Sequence, residues 1–271
     1  PTRAPLWQVK AAKVIHNAET RDLIYRDAWI EFFGVPVLYT PYLSHPDPSV
    51  ERRTGFLAPS LSISGNLGST IRTPYYWSIA PDRDFTIEPM LTTEAGVLMQ
   101  GEYRQRLANG ELNLKGSVTL DEGDDWQANQ RVFGHIDSSL RLNLDETWRA
   151  GGKLALTNDD TYLERYSIST EDTLVSRAYA EGFWRRSYAL AESYYFQGLN
   201  AVDTQDRIPI VLPKFDFNYV SAPVWRGGRV SLDANAQLLT RTGGTDTGRV
   251  SLETGWRQGF NGLLNGDRFT F

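Results

Sequence analysis

Apolar and polar residues alternate with a period of two over most of the later chain. Between Gly110 and Asp121, Leu112, Leu114, Val118 and Leu120 share one parity; Glu111, Asn113, Lys115, Ser117, Thr119 and Asp121 share the other. The preceding stretch sets Val97, Met99 and Tyr103 against Gln100, Glu102, Arg104 and Arg106. The following one sets Val132, Ile136, Leu140, Leu142 and Leu144 against His135, Asp137, Ser139, Arg141, Asn143 and Asp145. The period returns at Val230, Leu232, Ala234, Ala236 and Leu238, and again at Val250, Leu252 and Trp256. Successive side chains of a strand point to opposite faces, so this alternation predicts strands with one apolar and one polar face. The predicted strands run roughly 10–14 residues, against ~5–6 in globular sheets. Turn signals at Asn109–Gly110, Ala150–Gly152 and Gly243–Gly244 separate them. On the order of a dozen strands follow residue 54, in the meander of a transmembrane β-barrel. A soluble sandwich would use shorter strands and Greek-key crossings.

The first 50 or so residues read differently. Residues 7–16, 22–34 and 36–43 form short predicted strands with compact turns. Trp7, Val9, Ala11 and Ile15 share one parity, interrupted by Lys13, and Ala28, Ile30 and Phe32 share another. One face of each strand therefore lines an apolar interior. Residues 44–53 are rich in proline and charge and mark a connector, giving an N-terminal unit over 1–50 and a barrel unit over 51–271.

Prolines interrupt the first barrel strands. Proline has no N–H for a sheet ladder and belongs at edges, bulges and strand starts. A hairpin turning on Asn66–Leu67 pairs Pro59 with Pro74 directly, roughly 23 Å from the turn at ~3.3 Å per residue. Two missing donors at one level weaken a seam, each lost bond being worth about 0.5–1.5 kcal/mol. The alternative is that both prolines merely begin or edge their strands. Pro89 predicts a bulge in the third strand, Pro81 a turn, and Pro46 and Pro48 a stiffened connector.

Composition narrows the class. With 41% hydrophobic residues and a mean hydropathy of −0.40, no apolar run approaches the ~20 residues of a membrane helix. A barrel is compatible with that average, and 8 Trp, 13 Tyr and 12 Phe suit its interfacial girdles. A net charge of −5 argues against a nucleic-acid partner. Of 28 basic residues only Lys10, Lys13, Lys115, Lys153 and Lys214 are lysine, leaving arginine, whose planar fork suits phosphate. No cysteine is present, so neither a disulfide nor a thiolate metal site lies within the chain. His16, His45 and His135 are scattered without metal-ligand spacing, and no nucleophile elbow or P-loop occurs. The expectation is a protein without enzymatic activity, cofactor or metal. The start at Pro1, without a signal peptide, reads as an internal segment of a longer secreted precursor.

The stretches GVPVLYTPYLSHPDPSVERRTGFLAPS (34–60) and PYYWSIAPDRDFTIEP (74–89) resemble the LPS-assembly outer membrane protein family LptD, also called Imp or OstA. WQVKAAKVIHN and DAWIEFFGVPVLYTPY look like the closing repeats of that family's periplasmic β-jellyroll. GEYRQRLANGELNLKGSVTLDE and DDTYLERYSIS are similar to its early barrel strands. The resemblance implies an all-β chain holding the end of a periplasmic jellyroll and the first half of an outer-membrane barrel, incomplete here. It implies transport of lipopolysaccharide to the outer leaflet, with an LptA-like periplasmic bridge protein, an LptE-like plug lipoprotein and outer-membrane lipid as partners. It also associates prolines at the positions of Pro59 and Pro74 with a laterally opening gate. Acyl chains would slide along Val9, Ala11, Ile30, Phe32, Val37 and Tyr39, since burying each CH₂ is worth roughly 0.8 kcal/mol. The head group would enter a polar lumen offering Arg104, Arg106 and Arg141, with Glu88 among its balancing carboxylates. A generic porin or passive channel would present much the same lumen.

Overall fold

The computed structural model describes residues 7–19, 21–32, 34–47, 50, 52–121, 131–200, 202–261 and 268–270. About 70% of the residues are in strands, paired antiparallel throughout. The N-terminal sheet holds β1 (Trp7–Asn17), β2 (Asp22–Phe32) and β3 (Val35–Pro46) in that order. The main sheet begins with four short segments, β4 (Gly55–Phe56), β5 (Ser60–Ser64), β6 (Gly68–Arg72) and β7 (Tyr75–Ala80). Long strands follow: β8 (Arg83–Thr92), β9 (Val97–Leu107), β10 (Gly110–Asp121), β11 (Arg131–Asn143) and β12 (Trp148–Thr157). Then come β13 (Thr173–Trp184), β14 (Ser187–Gly198), β15 (Ile210–Val220), β16 (Arg229–Thr240) and β17 (Thr247–Arg257). A separate hairpin pairs β18 (Gly259–Asn261) with β19 (Arg268–Thr270).

The main sheet has 14 segments; with β4–β5 and β6–β7 each counted as one interrupted strand it is a twelve-stranded meander. It curves into an unclosed barrel whose two edges are β17 and the β4–β5 strand. The end that receives the connector from β3 is called proximal here, and the opposite end distal.

The alternation sorts residues between faces as the sequence pattern requires. Leu114, Val118, Ile136, Leu140, Leu154, Val230 and Leu252 project from the outer face and are exposed. Trp148, Trp184, Phe217, Trp225 and Trp256 gather near the proximal turns, with Trp148 and Trp184 centred 5.6 Å apart and Trp225 edge-on to Trp256 at 6.1 Å. An apolar outer band with an aromatic rim is the surface a bilayer solvates well. No helix among the described residues is long and apolar enough to cross a membrane.

The packed core lies on the inner face at the distal end. There the 158–172 loop folds inward and its single helical turn, α1 (Tyr162–Arg165), inserts Tyr162 and Leu163, with Tyr166 just after it. These pack with Leu67, Met90, Leu98, Ala155 and Leu174. The resemblance had placed DDTYLERYSIS among barrel strands; it is this inward loop instead. Its apolar residues at i, i+1 and i+4 give a helical stripe that a strand would split between two faces.

Three further expectations change. Ala150–Gly152 is the middle of β12, not a turn. A Cβ on Gly151 would run into the Leu140 carbonyl oxygen and would meet the Tyr179 hydroxyl at 2.9 Å and its ring at 3.0 Å, so the glycine admits both the neighbouring backbone and that side chain. Pro89 produces no bulge, because β8 keeps one register with β9 from Arg83–Gln105 to Leu91–Val97. The bulge occurs around Leu212–Pro213 in β15, where the register with both β14 and β16 shifts. Pro46 ends β3, and Pro48 lies outside the described residues.

Candidate functional site

Both strands of the first hairpin break at their prolines. Above the break, β5 and β6 pair from Ser64–Gly68 to Ser60–Arg72. Below it, β4 and β7 pair as Gly55–Tyr76 and Phe56–Tyr75. Residues 57–59 therefore oppose only 73–74, and no ladder pair spans them. Pro59 and Pro74 are not direct partners; the register runs one residue short of that pairing. The cause is the turn. Gly65, Asn66 and Leu67 form a three-residue connection, Ser64 Oγ accepts from the Leu67 amide at 3.2 Å, and Gly68 is left-handed with φ of 66°. A two-residue turn would have put the prolines opposite each other.

The interruption extends sideways. β6 and β7 meet β8 in one common register, which sets Thr73 beside Pro89 and Pro74 beside Glu88. Pro59, Pro74 and Pro89 thus lie close to one level across three neighbouring strands, each without an N–H to donate. Only Leu57 N to the Pro74 carbonyl at 2.9 Å and Thr73 N to the Pro89 carbonyl at 3.2 Å bridge that level outside the ladders.

The inner face is charged and paired. Register places Glu88 beside Gln100 and Arg104 between Asp84 and Asn113, while Arg106 and Arg141 flank Glu111 on either side. Arg104, Arg106 and Arg141 all belong to the proximal half, where Arg52, Asp84, Arg104, Arg106, Glu111 and Asn113 line a cavity of about 630 Å³. Glu88 lines a different cavity of about 400 Å³, beneath the 158–172 loop, with Glu102, Lys115, His135, Asp137 and Glu171. The four lumen residues are therefore split between two places.

The sequence pattern did not single out two further clusters. Glu192 is buried on the inner face and accepts from Arg177 (2.7 and 2.9 Å), Tyr194 (2.7 Å) and Lys214 (2.9 Å). The Pro213 bulge sets the register that brings Lys214 opposite Glu192. At the distal end, Ser117 Oγ lies 2.6 Å from both His135 Nδ1 and Tyr162 Oη, and the Tyr166 hydroxyl donates to the Ala95 carbonyl at 2.9 Å. Burial pushes the Tyr162 phenol up to about 12.

In the N-terminal sheet, Val9, Ile30 and Leu38 stand in one row and Ala11, Ala28 and Thr40 in the next. Ala28 and Ile30 are buried. β3 bulges between Pro36 and Leu38, which reverses the expected parity there. Tyr39 consequently joins Trp29 and Lys10 on the other face, with its ring 5.0 Å from Trp29, and Val37 is the bulged residue. That second face is polar as well as aromatic: Glu31 is bonded to Lys10 and Gln8, and these bonds hold its carboxyl below the usual range. The Phe32 side chain lies outside the described residues.

These features define a class: an antiparallel meander barrel with an apolar exterior and a charged interior, joined by a short connector to a small sheet with one apolar face. The family model for LPS transport system D matches residues 129–263. The LPS-assembly protein LptD of Idiomarina loihiensis is 37% identical over 172 residues, 61% of this chain and 22% of the relative. That of Shewanella oneidensis is 28% identical over 227 residues, covering 81% and 28%, and that of Yersinia pestis bv. Antiqua 29% over 229 residues, covering 79% and 28%. The chain belongs to the LptD family. It spans about a quarter of the length of these curated relatives.

Proposed function

We propose that this chain forms the junction of a lipopolysaccharide transporter of the outer membrane, where a periplasmic sheet hands lipid to a laterally opening barrel. Acyl chains travel along the face carrying Val9, Ala11, Ile30 and Leu38. The phosphorylated sugar head enters the proximal lumen near Arg104, Arg106 and Arg141, whose planar guanidinium groups suit phosphate. The first hairpin yields at Pro59 and Pro74. An LptA-like bridge delivers the lipid to the N-terminal sheet and an LptE-like lipoprotein plugs the lumen of the complete barrel. The observation that carries this reading is the absence of ladder pairs at 57–59 and 73–74, beside a proline on the next strand. A general-purpose pore has no use for a strand pair weakened at one level.

Site-specific photocrosslinking in the full-length protein tests it. A benzophenone side chain at Ile30, Leu38, Pro59 or Pro74 is expected to capture lipopolysaccharide in growing cells. The same group at Trp29 or Tyr39, on the opposite face, is expected not to. Equal capture from both faces, or none from Pro59 and Pro74, would refute the path.

A further inference from the structure

Two consecutive arginines in the connector reach in opposite directions. Arg53 donates through both terminal nitrogens to the Asp22 carboxylate at the start of β2, the Nη2–Oδ2 bond measuring 2.9 Å. Arg52 turns to the barrel. Its Nε donates to Tyr76 Oη at 3.1 Å, one terminal nitrogen donates to the Pro81 carbonyl, and the other reaches Asp84 Oδ2 at 2.6 Å. Asp84 also accepts from Arg104 Nε at 2.8 Å, which anchors it within the inner face.

Both receiving carboxylates are buried, Asp22 being 7% and Asp84 8% exposed, whereas the arginine side chains are over a third exposed. A buried carboxylate needs a charged partner, and the guanidinium fork can satisfy both of its oxygens at once. Neighbouring connector residues add to the attachment. Thr54 Oγ1 accepts from the Ser78 amide at 3.0 Å, the Asp47 amide donates to the Arg21 carbonyl at 2.8 Å, and His16 Nε2 lies 2.9 Å from Asp47 Oδ2.

We propose that Arg52 and Arg53 are positioning residues, a two-way strap that fixes the N-terminal sheet onto the β7–β8 hairpin. The strap grips the barrel on the proximal side of the prolines. It therefore holds β4, β7 and β8 together and leaves the β5–β6 hairpin, beyond the break, as the part free to swing. The strap itself follows from the contacts; its importance for transport rests on the function proposed above.

The test uses the full-length protein with spin labels on unnatural amino acids at Ala12 and Asn109, one in the N-terminal sheet and one in a proximal barrel turn. Pulsed dipolar spectroscopy is expected to give one narrow distance distribution in the parent. Arg53→Gln and Asp22→Asn are expected to broaden it, and the exchanged pair Arg53→Asp with Asp22→Arg to narrow it again. If Arg53→Gln fails to fold, Arg53→Lys, which keeps the charge and loses the fork, is expected to give an intermediate width. An unchanged width in the single variants, or an exchanged pair as broad as they are, overturns the strap whatever the lipid does. Surface delivery of lipopolysaccharide is followed in the same variants and is expected to fall with broadening and recover in the exchanged pair. Broadening with undiminished delivery overturns the positioning role while leaving the function proposed above in place.

Discussion

Tyr162 is the sharpest point at which to test what closes the distal end. Its side chain is 1% exposed, its ring is centred 5.2 Å from Tyr166, and its hydroxyl lies 2.6 Å from Ser117 Oγ. Tyr162→Phe removes one hydrogen bond and keeps the ring, a loss of about 0.5–1.5 kcal/mol. Tyr162→Ala removes the ring from the packed cluster, a loss of about 3–5 kcal/mol for a large aromatic. The readout is amide exchange in the 158–172 loop of the purified full-length protein. The amides of Tyr166 and Ile168 donate to the carbonyls of Tyr162 and Leu163 at 3.1 and 2.8 Å, so they are protected only while the turn is formed. If local opening limits exchange, the alanine variant accelerates these amides by roughly 10²–10³-fold and the phenylalanine variant by no more than about tenfold. The barrel amides of β10 and β11 keep their protection in both. An alanine variant exchanging no faster than the phenylalanine one would show that the ring contributes nothing to holding the loop.

Two further outcomes follow from the inner face. Because burial raises the Tyr162 phenol from 10 to about 12 in the folded state, the stability of keeping this neutral phenol buried is complete below pH 10 and lost as pH rises towards 12, by roughly 2–3 kcal/mol in all; tyrosinate absorbance and loop exchange should therefore change together in that window, and loop release below pH 9 would contradict it. Glu192→Gln leaves Arg177 and Lys214 facing each other without their shared carboxylate, and since both cations are partly hydrated the expected loss is about 1–3 kcal/mol; a lowered urea midpoint with an unchanged slope checks it, and an unchanged midpoint would show that the network is energetically neutral.

The barrel is legible in the sequence because membrane strands are long and face apolar and polar surroundings on alternate sides. A single run such as Leu112–Leu114–Val118–Leu120 already fixes which face is which. The prolines are legible for the same kind of reason, since a missing N–H has one consequence in any sheet. Register was not legible, because it depends on the turn. A left-handed Gly68 and the Ser64 hydroxyl add one residue to the first connection and move Pro59 away from Pro74. The bulge at Val37 is likewise invisible to parity, and it sends Tyr39 to the wrong side for a residue chosen by alternation. The inward loop is not legible from the resemblance, because similarity to a family's barrel region does not say which of its segments are strands and which are the loops between them. Arg52, Arg53, Asp22 and Asp84 stood in plain view as a charged connector and its surroundings. Nothing in one dimension says that adjacent arginines serve different sheets.

Under the opening proposed above, the break, the strap and the loop together determine which part of the seam moves. At the proline level almost no ladder remains to be lost, so bending there costs little. On the proximal side, Arg52 and Arg53 tie β7 and β8 to the connector and, through Asp22, to the N-terminal sheet. On the distal side, β6 holds β8 through the pairs Thr70–Thr92, Ile71–Leu91 and Arg72–Met90 and holds the following turn through the Thr93 and Glu94 amides, which donate to the Ser69 and Leu67 carbonyls, and the Ser69 amide, which donates to Thr93 Oγ1; β10 and β11 are paired along their whole length. A few net hydrogen bonds at about 0.5–1.5 kcal/mol each, plus roughly 1.5–3 kcal/mol for exposing Leu67, hold the β5–β6 hairpin in place. For the opening proposed above, that sum is small enough for differential lipid binding to overcome and large enough to keep an open form rare at rest. Leu67 shares its cluster with Tyr162 and Tyr166, so the same loop that caps the inner cavity also pins the tip of the hairpin. Loosening the loop should therefore favour swinging of the hairpin even though no residue of the break is altered. In the proposed gate, closure of the distal lumen and closure of the seam are therefore one packing event, because Leu67, Tyr162 and Tyr166 share one cluster.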